Sequence, residues 1–334
     1  MRLYLRLFSL VCLFTSVSAQ SCDLCAIYTS LEAQNPSSHS LQLGVAEQFS
    51  YYGTLRKEGR FQENEKHEHM ASFITQFFAG YSINKSNSLQ LILPYVNKRY
   101  ARVTEETRQM GTEAGIGDVA LLLKHRLMSL RDNDYQTQVD FFGGVKLPTG
   151  DSDLLATEPS HEEAHKSTPP LLRRLHEGHD HAGEYESAVH NHDLALGTGS
   201  VDFPTGVSFL ARKDRFLATV ELQYFIRTKG RADYRYANEL LWKIASGWYL
   251  STEHERTLLA RVNVLGEYKE KDTQNGVNDE STGVTAFYAG PGILFTMSGR
   301  FFLEAAFDFP LNVENTGTQL VADYRARSAI KYRF

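Results

Sequence analysis

Residues Leu320 to Phe334 read LVADYRARSAIKYRF. Leu320, Ala322, Tyr324, Ala326, Ser328, Ile330, Tyr332 and Phe334 fall on one face, and Asp323, Arg325, Arg327, Lys331 and Arg333 on the other. Side chains alternate across a β-strand, so one such ribbon can turn one face to lipid and the other to water. A helix would spread the same charges around its circumference. The aromatic end at Phe334 resembles the C-terminal signal by which bacterial outer-membrane barrels are recognised for insertion, so the insertion machinery is an expected partner.

Working outward from this strand, the same two-residue period recurs. Phe301 to Leu311 alternates against Glu304 and Asp308, residues 257–270 against Arg261, 216–228 against Glu221, and 137–147 against Asp140 and Lys146. Weaker segments lie near 40–52, 70–83, 88–99, 117–128, 196–211, 236–249 and 283–297, giving twelve strands. Their connections alternate in length. Short turns fall near 84–87, 131–134, 213–215, 252–255 and 298–299; longer polar segments fall at 54–68, 101–115, 149–195, 229–235, 271–282 and 313–318. Outer-membrane barrels keep short periplasmic turns, longer outer loops and an even strand number. The expected fold is therefore an all-β, transmembrane, antiparallel up-and-down barrel of about twelve strands over residues 40–334.

The composition agrees. Tyr 17, Phe 20 and Gly 24 suit β-structure, and a mean hydropathy of -0.35 suits a barrel that shows every second residue to lipid. Tyr95, Tyr100, Trp242, Trp248, Tyr249 and Tyr332 lie near strand ends, where aromatic rings anchor at membrane interfaces. Glu47 falls on the face expected to meet lipid, which predicts a bulge or a shifted register there. A net charge of -5 argues against nucleic acid as a partner; outer-membrane lipid and lipopolysaccharide are expected instead.

Arg2 and Arg6, a short apolar run at 7–14 and Val17-Ser18-Ala19 have the form of an export signal cleaved after Ala19. The run is too short for a spanning helix, which needs about 20 residues. Residues 20–39 then form a periplasmic segment carrying Cys22 and Cys25. In an oxidising compartment this pair is expected to form a disulfide, with a two-thiolate metal contact as the alternative. Haem attachment would need His where Ala26 stands.

Four phrases occur in order: Leu89 to Val96 (LQLILPYV), Gly115-Ile116-Gly117-Asp118-Val119, Gly144 to Gly150 (GVKLPTG) and Leu196 to Ser200 (LGTGS). Together they resemble the outer-membrane transporter family named for the MetA pathway of phenol degradation. The resemblance covers most of the chain after the signal and implies a barrel with a transport role, often connected with small hydrophobic or aromatic compounds. The cysteine pair and a histidine-rich loop stand outside that pattern.

Seven of the 12 histidines, His161, His165, His176, His179, His181, His190 and His192, lie in the segment 149–195. Neutral imidazole is a good ligand for zinc, copper and nickel, and such tracts read as metal-binding by composition. No cofactor is required; these ions are the candidates. His161 to His165 also fits the H-E-x-x-H pattern of zinc proteases, but Pro159 and Pro169-Pro170 leave barely two turns of helix, without the apolar stripe that a rigid site needs. The chain is accordingly read as a non-enzyme.

The inward faces should carry Asp140, Lys146, Glu221, Lys243, Arg261, Glu304, Asp308, Asp323, Arg325 and Arg327. Eight strands are filled by side chains and 16–18 leave an aqueous channel, so twelve allow either a narrow pore or a salt-bridged plug. Three functions stay open: a channel for small solutes with metal ions attracted to its outer loop, a closed barrel that binds or senses metal, and, as an outsider, a membrane-embedded hydrolase using His125 or Glu162.

Overall fold

The computed structural model describes residues 39–104, 107–132, 135–157, 187–253 and 255–334. The segments 1–19 and 20–38, with Cys22 and Cys25, lie outside the described residues, as do Glu162, His161, His165, His176, His179 and His181.

Twelve antiparallel strands close into a barrel: β1 (Leu41–Lys57), β2 (His69–Ser82), β3 (Asn87–Thr104), β4 (Ala120–Arg131), β5 (Tyr135–Lys146), β6 (Phe203–Lys213), β7 (Phe216–Ile226), β8 (Glu239–Glu253), β9 (Arg256–Lys269), β10 (Val284–Met297), β11 (Phe301–Asn315) and β12 (Thr318–Arg333). Each pairs with its neighbours in sequence, and β1 pairs with β12, from Gln42↔Arg333 to Lys57↔Thr318. Closure leaves no free edge in the barrel, which is what allows strands to cross hydrocarbon with their amides satisfied. No helix among the described residues is long and apolar enough to cross a membrane.

The period-two pattern sorts the faces. Every strand exposes large apolar side chains outward, among them Val45, Phe77, Leu91, Leu222, Val262 and Ile330. Inside, the lumen is layered. Near the turns Leu210, Leu217, Tyr249, Leu259 and Leu294 cluster. A charged band follows. Toward the loops, Tyr52, Met70, Val284, Tyr288, Val313 and Val321 form an apolar ring.

Prolines mark where the ladder gives way. A proline cannot donate to a ladder and is normally confined to edges or bulges, and a closed barrel has no edges. In β10, Gly290 and Pro291 have no partners on β11, the pairing resuming at Gly292↔Ala306. In β3, Pro94 faces the break between two partners: β3 pairs with the outer strand Thr107–Ile116 above it and with β4 below it. Gly117-Asp118-Val119 fills that break.

Several expectations change. The 101–115 segment is not a loop but an extension of β3 and its Thr107–Ile116 partner. The 313–318 segment shrinks to Thr316-Gly317, a tight turn made possible by Gly317 at φ 56°. Residues 196–202 precede β6 rather than beginning it. Register runs unbroken through Glu47; no bulge hides it, and Thr75 on β2 donates its hydroxyl to the carboxylate instead. The irregularity in β1 lies instead around Gly53, opposite Asp323, which is unpaired in the β1–β12 ladder. Beside it Val321 and Ala322, adjacent in β12, are both buried in the lumen cluster and Leu320 packs on it, so strict alternation is interrupted there. Tyr249 and Tyr100 belong to the interior, while Tyr95, Trp248 and Tyr332 are exposed.

Candidate functional site

The connection between β5 and β6 does not stay outside. Its last part, Ser187 to Asp202, turns back into the barrel mouth, with one turn of helix at Asn191–Leu194. Val189 and Leu194, 2% and 1% exposed, complete the apolar ring. Leu196 packs on Ile74 and Val96. Ala195 joins Leu155, Tyr234 and Tyr236. This segment is a plug.

Polar anchors fix it to the wall, because its buried backbone groups need partners. Glu68 accepts from Ser187 Oγ at 2.8 Å, Ala188 N at 3.0 Å and Val103 N at 2.7 Å. Lys98 Nζ donates to the carbonyls of Asp193 (2.5 Å) and Ala195 (3.0 Å), and Arg102 to Asn191 Oδ1 at 2.7 Å. Tyr236 donates to the His192 carbonyl at 2.9 Å.

The base of the plug is a buried charge network. Asp118 accepts from Lys146 Nζ (2.8 Å), Gly150 N (3.0 Å), Thr198 N (2.8 Å) and Thr198 Oγ1 (2.9 Å). Asp202, fully buried, accepts from Ser200 Oγ at 2.7 Å and Arg227 Nη1 at 2.6 Å. Lys146 stands 3.6 Å from Asp202, and Arg227 Nη2 3.6 Å from Glu239. Three glycines let the backbones cross here. A methyl group on Gly150 would meet Leu196 O at 2.7 Å and Gly197 Cα at 2.8 Å, with Gly117 Cα at 3.0 Å. The glycine-rich phrases of the sequence, far apart in the chain, thus converge on one knot.

Below the plug the charged band is paired. Arg325 forms a two-pronged contact with Glu267, Arg261 bonds to Glu304, and Arg327 lies 2.7 Å from Asp308. Lys243 is 4.0 Å from Glu304. Asp140 accepts from Lys124 (2.9 Å) and Arg126 (3.0 Å), and Glu221 from Gln223 at 2.5 Å. A cavity of ≈ 130 Å³ remains among Gln48, Gln76, Glu221, Lys243, Glu304 and Arg327. Another of ≈ 50 Å³ lies beside the plug, lined by Tyr52, Lys98, Val189, His192, Asp193 and Tyr288.

His190 and His192 do not sit on an outer loop surface. They are part of the plug, with His192 4% exposed. Their rings stack at 5.1 Å, and both reach Asp193. Burial penalises the Asp193 carboxylate, but the charge of His192 and the hydrogen bonding and charge of His190 outweigh it and hold its pKa well below the ordinary carboxylate value. His125 is exposed on β4 and bonds to Asn87 at 2.8 Å. Sequence reasoning missed Glu68, Lys98, Asp202 and Arg227 as anchors. Most of their partners lie 25 to 120 positions away, a separation that strand periodicity does not register.

These features define a class: a closed outer-membrane-type β-barrel with a loop folded into its mouth. No protein-family model matches the chain, and no curated protein matches it either. Among solved structures it is similar to the COG4313 outer membrane channel from Pseudomonas putida F1. The TM-score is 0.64 at 11% identity, covering 92% of this chain and 100% of that one. The transport unit of the autotransporter AIDA-I from Escherichia coli follows at TM-score 0.42, 11% identity and 94% and 95% coverage. The β domain of the Bordetella autotransporter BrkA follows at 0.40, 11%, and 88% and 99%. The first of these shares the fold.

Proposed function

We propose that this chain is an outer-membrane channel for small, largely apolar solutes, held closed at its outer mouth by the Ser187–Asp202 plug. The observation that carries this is the apolar ring of Tyr52, Met70, Val284, Tyr288, Val313 and Val321 behind the plug. Barrel lumens of porins are polar and water-filled; a ring of this kind suits a solute that prefers to leave water. The similarity to a channel fold and the resemblance to the MetA-pathway transporter family support the same reading. The outer membrane supplies its lipid and lipopolysaccharide partners.

The test is conductance in planar bilayers, together with uptake of a small aromatic probe into proteoliposomes. The intact protein should pass little current, and deletion of 187–201 should raise both readouts. A second reading, a closed binding barrel, is favoured by the paired charges across the lumen, above all Arg325 with Glu267. If the deletion variant, correctly folded by its heat-modifiable gel mobility, still passes neither ions nor probe, the channel reading fails and the closed barrel stands.

A further inference from the structure

We propose that His190, His192 and Asp193 bind one divalent transition metal ion inside the barrel mouth, zinc being the probe of choice. One ligand atom from each residue lies within 4.8 Å of the others. His190 Nδ1 stands 3.6 Å from Asp193 Oδ2, and His192 Nε2 stands 3.4 Å from Asp193 Oδ1. Each is near the about 3.3 Å that separates two ligand atoms lying about 2.0–2.1 Å from a tetrahedral zinc ion, the two imidazoles facing the two oxygens of one carboxylate.

The surroundings resemble those that metal-binding imidazoles need. A ligating histidine usually turns its other ring nitrogen to a carboxylate, which fixes its orientation. His192 Nδ1 lies 4.0 Å from Asp279 Oδ2, on the separate loop between β9 and β10. Tyr234 stacks on the His192 ring at 5.9 Å. Asp193 is itself held by the His190 backbone N–H at 2.9 Å. Two imidazoles and a carboxylate suit zinc, copper or nickel better than the hard cations. The three residues leave a fourth position, and His192 and Asp193 line the ≈ 50 Å³ cavity, roomy enough for a water. A bound ion would link the plug helix, through His192, to Asp279 on another loop. Lys98, which lines the same cavity, is engaged by the Asp193 and Ala195 carbonyls.

The site does not depend on whether solute crosses the barrel, so binding is measured directly. A variant with alanine at Cys22, Cys25, His161, His165, His176, His179 and His181 isolates it. Zinc is titrated against a chromophoric chelator on the detergent-solubilised full chain. This variant should bind one zinc per chain. In its background, His190→Ala, His192→Ala and Asp193→Asn should each weaken binding more than Asp279→Asn, for which about a tenfold loss is expected. Hydrogen exchange should show zinc protecting 187–196 in the isolating variant. Zinc binding that disappears with these alanines, or that survives combined His190→Ala and Asp193→Asn unchanged, overturns the proposal. So does binding without added protection of the plug.

Discussion

At the scale of single residues, Asp118 is the acceptor on which the plug turns. It collects four donors in a site from which water is excluded. Removing one partner of a buried ion pair leaves the other charge stranded, at a cost of about 3–5 kcal/mol. Asp118→Ala should therefore loosen the plug while the barrel wall persists, raising open-channel events and exposing the 196–202 stretch to protease. Adding Lys146→Met should restore part of the loss, because the ammonium left with only its longer contact to Asp202 disappears while Arg227 still pairs Asp202. Protection unchanged in Asp118→Ala would show that the knot does not hold the plug. Gly150 makes the same point sterically: Gly150→Ala drives a methyl into the backbone of 196–197. Neither neighbour can yield without moving the plug, so the same loosening should follow without any change of charge.

At the scale of elements, the plug is a short segment whose own conformation contributes little. One turn of helix at Asn191–Leu194 is far too short to be stable alone. It exists because Val189 and Leu194 enter the apolar ring and Lys98, Arg102 and Glu68 take up its backbone and side-chain polar groups. Val189→Asp with Leu194→Asp should thus undock it, placing carboxylates in the apolar ring. The expected result is a conductance close to that of the 187–201 deletion, measured side by side. The strands behave differently. Their alternation was readable, and eleven of the twelve segments began within a few residues of where the strands do. The exception, 196–211, shows why: LGTGS has the small and apolar residues of a strand, but its polar backbone is captured by Asp118 and Asp151. Such capture by distant residues has no local signature. The irregularity at Gly53 and Asp323 is a second case, since one unpaired residue in each strand interrupts the alternation there and leaves no mark in the local pattern.

At the scale of the whole molecule, the outward apolar belt is what commits the barrel to a bilayer. Val262 lies midway along β9 and is 59% exposed. A charge on the lipid face near the midplane costs about 2–4 kcal/mol. Val262→Arg should therefore lower stability in lipid by roughly that amount, whereas Val262→Leu should be nearly neutral, as denaturant titration of refolding into vesicles would show. Equal stability of the two variants would mean that this face does not meet hydrocarbon. The sequence by itself determined the two-faced strands and their number, because both follow from a period of two along a local stretch. Only the tertiary structure decided that a long loop returns to fill the mouth, that Gly117, Gly150 and Gly197 cross at one knot, and that Glu68 and Lys98 hold the plug from the wall. Those contacts join residues remote in the chain, and barrel closure is what brings them within reach.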